Sequence, residues 1–437
     1  MSGRRSLELT SRRSAAPVPG SASYRGLAPV RLDGGSAFRG TQSGTGPGFG
    51  GRRGRLRTLV HEVFGRGSPL RHLDWLLLAI VLALMAVGTL LVWAATATSG
   101  PSYHDPYLIR QLINIVIGLI LMAAVSMLDY RQLRRYAPIV LVLSCLGLLA
   151  VLSPLGSVVN GAKAWITLPG GFQIEPSEYA KLSVIFVGAM ILSELKPGQI
   201  RPGPRAIAIT VGLSAIPLVL VIAEPALGVV IVLMSLLVGV IVLSGVRIRW
   251  LAGLAVAGAL GIVAVTKLHL LKSYQASRLT SFLHPSQDPR GTGYSAYQSK
   301  IAIGSGGLTG HGLFHGPLVA GGFVPEQHTD FIFAVAGEEI GFIGEMVIIG
   351  LLALLVLRAL HIAGRADDQF GMLVASGIAI WFGVQSFINI GMTIGIMPVT
   401  GLPLPFVSYG GSAVFADMIA IGALHCVHRH RSVFGHN

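Results

Sequence analysis

Residues 75–97 read WLLLAIVLALMAVGTLLVWAATA. No charge interrupts the run, and a helix needs about 20 mostly apolar residues to cross a bilayer. The same reading, carried outward along the chain, gives nine further segments at 109–128, 137–153, 178–195, 206–223, 225–244, 250–267, 333–359, 371–391 and 406–427. Only Glu224-Pro225 separates the fifth span from the sixth. Proline breaks the helical hydrogen-bond ladder there, and a carboxylate wants an interface. The expectation is an all-α polytopic membrane protein of about ten transmembrane helices.

Composition agrees. Apolar residues make up 52% of the chain and charged residues 12%, where soluble proteins carry about a quarter. The 57 glycines suit closely packed membrane helices. A formal charge of +14 raises the question of nucleic-acid binding, but its distribution excludes that class. Thirteen of the 33 basic residues, all Arg, precede Asp74 in a Gly-, Ser- and Arg-rich stretch with no apolar run and no cleavage pattern. Residues 1–70 therefore read as a disordered basic arm, with 56–65 as a short interfacial helix within it. Such an arm attracts anionic membrane lipids and reinforces topology. Cys145 and Cys426 fall in different spans without metal-ligand spacing, and read as buried small hydrophobes.

Lys and Arg placement sets the orientation. With the N-terminus in the cytoplasm, Arg131, Arg134, Arg135, Lys196, Arg201, Arg205, Arg247, Arg249, Arg358, Arg365, Arg429 and Arg431 are inside as well. Both termini are then cytoplasmic, with 431–437 as a short tail. Two outer segments stand out. Residues 154–178 contain NGAKAWITLPGGFQIEPSE, and 268–332 form a long extracellular loop between the seventh and eighth helices. Long loops that are not low-complexity are usually functional. This one reads as short amphipathic pieces, such as Tyr294–Ile303, joined by Gly-rich turns.

Ionisable groups at the outer ends of the spans are the candidates for chemistry. Glu178 and Lys181 are three apart, share a helix face and pair. The pair serves either as a structural ion pair or in binding. Arg110 opens the second span, where snorkelling to the interface is the bland alternative. Glu338 lies two turns beyond Asp330 and satisfies a buried polar partner. Asp330, in His328-Thr329-Asp330-Phe331, sits where the loop meets an apolar helix. A carboxylate there suits a general base, and a helix N-cap role is equally open. His328 and Asp330 lack a third ligand at recognisable spacing for a metal. The stretch GLPLPFVSYGGS at 401–412 enforces a bend ahead of the last span, which membranes tolerate where the backbone lines a cavity.

These pieces resemble one family. NGAKAW (160–165), EPSEYAKL (175–182), GTGYSAYQSKIAIGSGGLTGHG (291–312), VPEQHTDFIFAVAGEEIGF (324–342), NIGM (389–392) and PVTGLPLPFVSYGGS (398–412) run in the order found in the SEDS proteins, the group of RodA, FtsW and SpoVE. The resemblance covers about 71–430 and not the arm. It implies a peptidoglycan glycosyltransferase that polymerises lipid II outside the bacterial cytoplasmic membrane. The implied partners are the nascent glycan strand, a class B penicillin-binding protein and other elongation or division proteins. The family's loop aspartate matches Asp330, and its PSE-x-x-K acid and lysine match Glu178 and Lys181. Asp330 is expected as base, or as a group positioning the acceptor or a divalent cation (Mg or Mn); no covalent cofactor is expected. Expected substrate contacts are Arg110, Lys163 and Lys181 for the pyrophosphate, with Glu178, Gln298, Lys300, His328, Ser408 and Tyr409. The short segment after Val427 leans toward a RodA-like role in elongation over an FtsW-like role in division.

The chain departs from the family pattern in three places. Ala164 replaces a second basic residue, the acid of the fifth-span corner has moved to Glu224, and Asp417 lies inside the last span. Two other functions compete with this one. A lipid II flippase would favour acids and broken helices at the membrane midplane with an inverted repeat, whereas here polar groups gather at the outer face. A non-catalytic scaffold has no need of an acid in the setting of Asp330.

Overall fold

The computed structural model describes residues 73–97, 106–159, 162–167, 173–195, 199, 201–224, 226–267 and 293–434. The basic arm 1–70, the loop residues 268–292 and the end of the tail lie outside the described residues. Long helices occupy each of the ten predicted segments: α1 (Trp75–Thr96), α2 (Pro106–Met127), α3 (Tyr130–Leu152), α4 (Pro176–Leu192), α5 (Pro204–Ala223), α6 (Leu227–Leu243), α7 (Ile248–Lys267), α10 (Ile332–Ala363), α11 (Gln369–Ile394) and α12 (Gly411–Phe434). Two shorter helices, α8 (Tyr294–Gly306) and α9 (Pro317–Ala320), lie in the segment before α10. Among the described residues, seven helices (α1, α2, α3, α5, α10, α11 and the Gly411–His430 part of α12) are long and apolar enough to cross a membrane.

The all-α expectation needs one correction. Strands β1 (Ser157–Val159), β2 (Ala162–Thr167) and β3 (Gln173–Ile174) form a three-stranded antiparallel sheet between α3 and α4. Val158, Val159, Ile166 and Thr167 are β-branched, and Gly and Pro nearby prevent a helix from running through.

Side chains that face lipid are large and apolar, as at Ile120, Leu143, Val219 and Leu357. α4 is different. It packs against α3, α5, α6, α11 and α12, so nearly every side chain on it is buried. That central place is what lets it carry an ion pair.

One end of the bundle gathers the basic connections. Arg358 at the end of α10 meets Asp74 ahead of α1 at 2.6 Å. Arg134 on α3 meets Glu194 after α4 at 3.1 Å, and Tyr130 donates to Asp368, which caps α11. The sheet, α8, α9 and the 395–410 segment connect the helices at their other ends.

Candidate functional site

The site is built where the 307–331 segment meets α10. Two glycines of the 304–312 stretch have a steric reason. A Cβ on Gly306 or Gly310 would overlap the carbonyls of Gly337 or Glu339. α10 itself breaks at Gly341 (φ 67°, ψ −173°), a conformation open to glycine alone. The break frees the next amides, so Phe342 N donates to Gly307 O at 3.0 Å and Ile343 N to Leu308 O at 3.1 Å. Glu338 and Glu339 complete the seam. The Glu338 carboxylate accepts from Leu318 N (2.7 Å) and Val319 N (2.8 Å), and Glu339 from Gly316 N (3.3 Å). Glu338 thus satisfies the open amides of α9, the buried polar role foreseen for it.

Asp330 follows this seam. The N-cap residue of α10 is Phe331, with no side-chain cap bond, and Asp330 directly precedes it. Three successive carbonyls ahead of the helix are each held by a tertiary donor. His328 O accepts from Tyr409 N at 2.9 Å, Thr329 O from Ser408 Oγ at 2.6 Å, and Asp330 O from Asn389 Nδ2 at 2.8 Å. Tyr107, His328 and Tyr409 form an aromatic triangle beside them, with centroids 4.9, 5.3 and 5.6 Å apart. Arg110 lies half-buried one turn along α2 from Tyr107.

Behind the loop lies the ion pair predicted from spacing. Lys181 Nζ is 2.6 Å from Glu178 Oε2. It also donates to Gln385 Oε1 at 2.8 Å and lies 4.8 Å from the Trp381 ring centroid. Its side chain is 0% exposed. Glu175, just before α4, donates from its backbone to Ser412 Oγ at 2.9 Å and accepts from Ser177 Oγ at 2.7 Å. Burial first, then the Glu178 charge, push the Glu175 carboxyl up to about 7, and the charge of Asp330 adds to that shift.

The other expected residues are more dispersed. Lys163 donates to the carbonyls of Ser153 (2.7 Å) and Leu152 (3.3 Å), closing the C-terminal end of α3. Gln298 is half-buried and Lys300 exposed on α8, with the Lys300 stem against Gly395. Ser408 also accepts from Leu404 N at 2.8 Å, so its hydroxyl is spent on the bend. Asp417 gains a partner: its Oδ2 accepts from Phe406 N at 3.4 Å, and Phe406 has φ 62°. Glu224 is buried with neither carboxylate oxygen hydrogen-bonded.

Sequence reading passed over Gln385 and met Asn389 only as part of the NIGM motif, with no role given to it, because ionisable groups were sought in the spans. Their signal was present: two amides four apart on one face of a mostly apolar helix.

A family model described as "Cell cycle protein", FTSW_RODA_SPOVE, matches residues 74–433. The chain belongs to the FtsW/RodA/SpoVE family. "Peptidoglycan glycosyltransferase MrdB" of Escherichia coli K12 is 38% identical over 363 residues, covering 83% of this chain and 95% of that protein. "Stage V sporulation protein E" of Bacillus subtilis is 37% identical, covering 82% and 97%. Among solved structures, rod shape determining protein RodA of Thermus thermophilus matches with TM-score 0.59 at 29% identity, over 82% of this chain and 97% of that one. A chain from work on structural coordination of polymerization and crosslinking by a peptidoglycan synthase complex matches with TM-score 0.68 at 31% identity, over 82% and 98%. As a member of the SEDS family the chain is an enzyme, a peptidoglycan glycosyltransferase, and a multi-pass protein of the bacterial plasma membrane.

Proposed function

We propose that the chain polymerises lipid II on the outer face of the membrane, with Asp330 as general base. The observation that carries this reading is the clamp on the carbonyls of His328, Thr329 and Asp330, which fixes an acid at the mouth of a membrane helix. The Asp330 carboxylate takes the proton of the acceptor 4-hydroxyl. The resulting oxygen attacks the donor's anomeric carbon in line, the bond to the diphosphate breaks, and undecaprenyl pyrophosphate leaves. One displacement turns an α donor into a β-1,4 linkage.

Developing charge on the diphosphate calls for a fixed cation. Arg110, beside Tyr107, fits that role. Lys181 would have to leave Glu178 and Gln385 to do so, and Lys163 the end of α3. His328 and Tyr409 are the proposed sugar-facing contacts, and Gln298 and Lys300 on α8 contacts of the glycan. Among the described residues, no group of three or more His, Cys, Asp or Glu side chains is gathered to hold a metal ion. Mg or Mn needs only one or two carboxylates beside substrate phosphates, so Asp330 and the lipid II diphosphate would hold such an ion, which would stabilise the leaving charge; no step is routed through it.

The proposal extends to ten spans, both termini in the cytoplasm, the 268–332 segment outside and 1–70 as an appended basic arm. A class B penicillin-binding protein is the proposed partner, in cell elongation. The similarity to a rod shape determining protein, RodA, supports elongation; division is the alternative, supported by relatives named FtsW.

The test uses the purified full-length chain with its penicillin-binding partner and labelled lipid II. Asp330→Ala is expected to abolish glycan ladders while the protein keeps its melting temperature. Ladders of unchanged length and rate in that variant would remove Asp330 from the mechanism.

A further inference from the structure

The clamp on Asp330 and the lock on Lys181 share one origin. Gln385 and Asn389 are one turn apart on α11, and both are fully buried. Asn389 Nδ2 uses both its hydrogens, one on Asp330 O (2.8 Å) and one on Leu402 O (2.7 Å). Gln385 Nε2 donates to the next carbonyl of that turn, Pro403 O, at 2.8 Å. Gln385 Oε1 accepts from Lys181 Nζ (2.8 Å) and Trp381 Nε1 (2.7 Å). Two amides on one helix face therefore hold two consecutive carbonyls of the Leu402–Pro403 turn. On their other sides they reach the loop acid and the buried lysine.

We propose that Gln385 and Asn389 are positioning residues, setting Asp330 and the Glu178–Lys181 pair relative to each other across the Leu402–Pro403 turn. The proposal rests on Asp330 being the base. Neither amide meets substrate, since both are enclosed; each acts through the residue it holds. The chemistry of the side chains is specific. Only a nitrogen with two hydrogens serves both carbonyls that Asn389 holds; a carboxylate would repel them and a hydroxyl would reach one at most. Gln385 must accept at one atom and donate at the other. The arrangement also leaves Asn389 Oδ1 buried without a partner. An apolar residue would avoid that penalty if packing were the whole purpose.

The experiment measures initial rates of lipid II polymerisation against lipid II concentration, with the full-length chain and melting curves for each variant. Asn389→Ala is expected to lower kcat by about 10- to 100-fold, the scale of a misplaced catalytic group, with KM within about threefold. Asn389→Ser, which can hold one carbonyl, is expected to recover part of the loss. Gln385→Glu, which accepts from Lys181 but cannot donate to Pro403, is expected to lower kcat with KM unchanged. A wild-type kcat in Asn389→Ala, or a change confined to KM, would overturn the proposal. If Asn389→Ala does not melt cooperatively, Asn389→Ser and Gln385→Glu decide, and wild-type kcat in both overturns it. Asp330→Ala separates the two readings. Activity retained there removes the base itself, whereas an inactive Asp330→Ala beside a fully active Asn389→Ala removes the positioning role alone.

Discussion

Lys181 illustrates how a residue that looks available in sequence is committed in the fold. Its ammonium is taken by Glu178, Gln385 and the face of Trp381, and none of it is exposed. Removing one member of a buried pair strands the other charge, which costs about 3 to 5 kcal/mol, whereas apolar replacement of both is near neutral. Lys181→Met is accordingly expected to lower the melting temperature strongly, and Glu178→Leu with Lys181→Met to recover most of it. A single variant as stable as the wild type would show that the pair is not holding α4 in place. Activity is expected to stay low in both, because Gln385 Oε1 loses Lys181, one of its two donors, and keeps only Trp381 Nε1. The spacing of Glu178 and Lys181 announced their pairing; nothing local to them announced Gln385, which lies 204 residues away.

Among elements, α10 has the least regular course. Glycine at 341 lets the helix open by one turn, and the loop carbonyls of Gly307 and Leu308 fill the gap. Gly341→Ala forces an L side chain into a region that glycine alone occupies, at a cost of about 1 to 3 kcal/mol, and also collides with Leu308 and Gly310. The expected outcome is a lower melting temperature and faster hydrogen exchange at 307–312, read by mass spectrometry. Unchanged exchange would mean that the helix closes over the gap without the loop. Sequence showed a Gly-rich segment and a long apolar run, each correctly. Their interlocking was not legible, because a helix break filled by distant carbonyls leaves no periodic trace in either segment.

At the scale of the whole molecule, the basic connections collect at one end of the bundle and the sheet and loop segments at the other. Labelling tests the proposed orientation. In a Cys145→Ser, Cys426→Ser background, Glu326→Cys is expected to react with an impermeant maleimide in intact cells, and Asp367→Cys only after permeabilisation. The opposite pattern would invert the topology. Hydropathy by itself determined that the chain is a helical membrane protein and where its helices lie, since transfer of about 20 apolar residues into lipid is a local property. The order of short motifs determined the family and singled out Asp330. Tertiary structure decided what those residues hold. It formed a sheet where helices alone were expected, and it spent Lys163 on the end of α3 and Ser408 on the bend. It also placed Gln385 and Asn389 between the loop and α4. Hydrogen bonds across hundreds of residues depend on which helix faces meet, and no window of sequence contains that information.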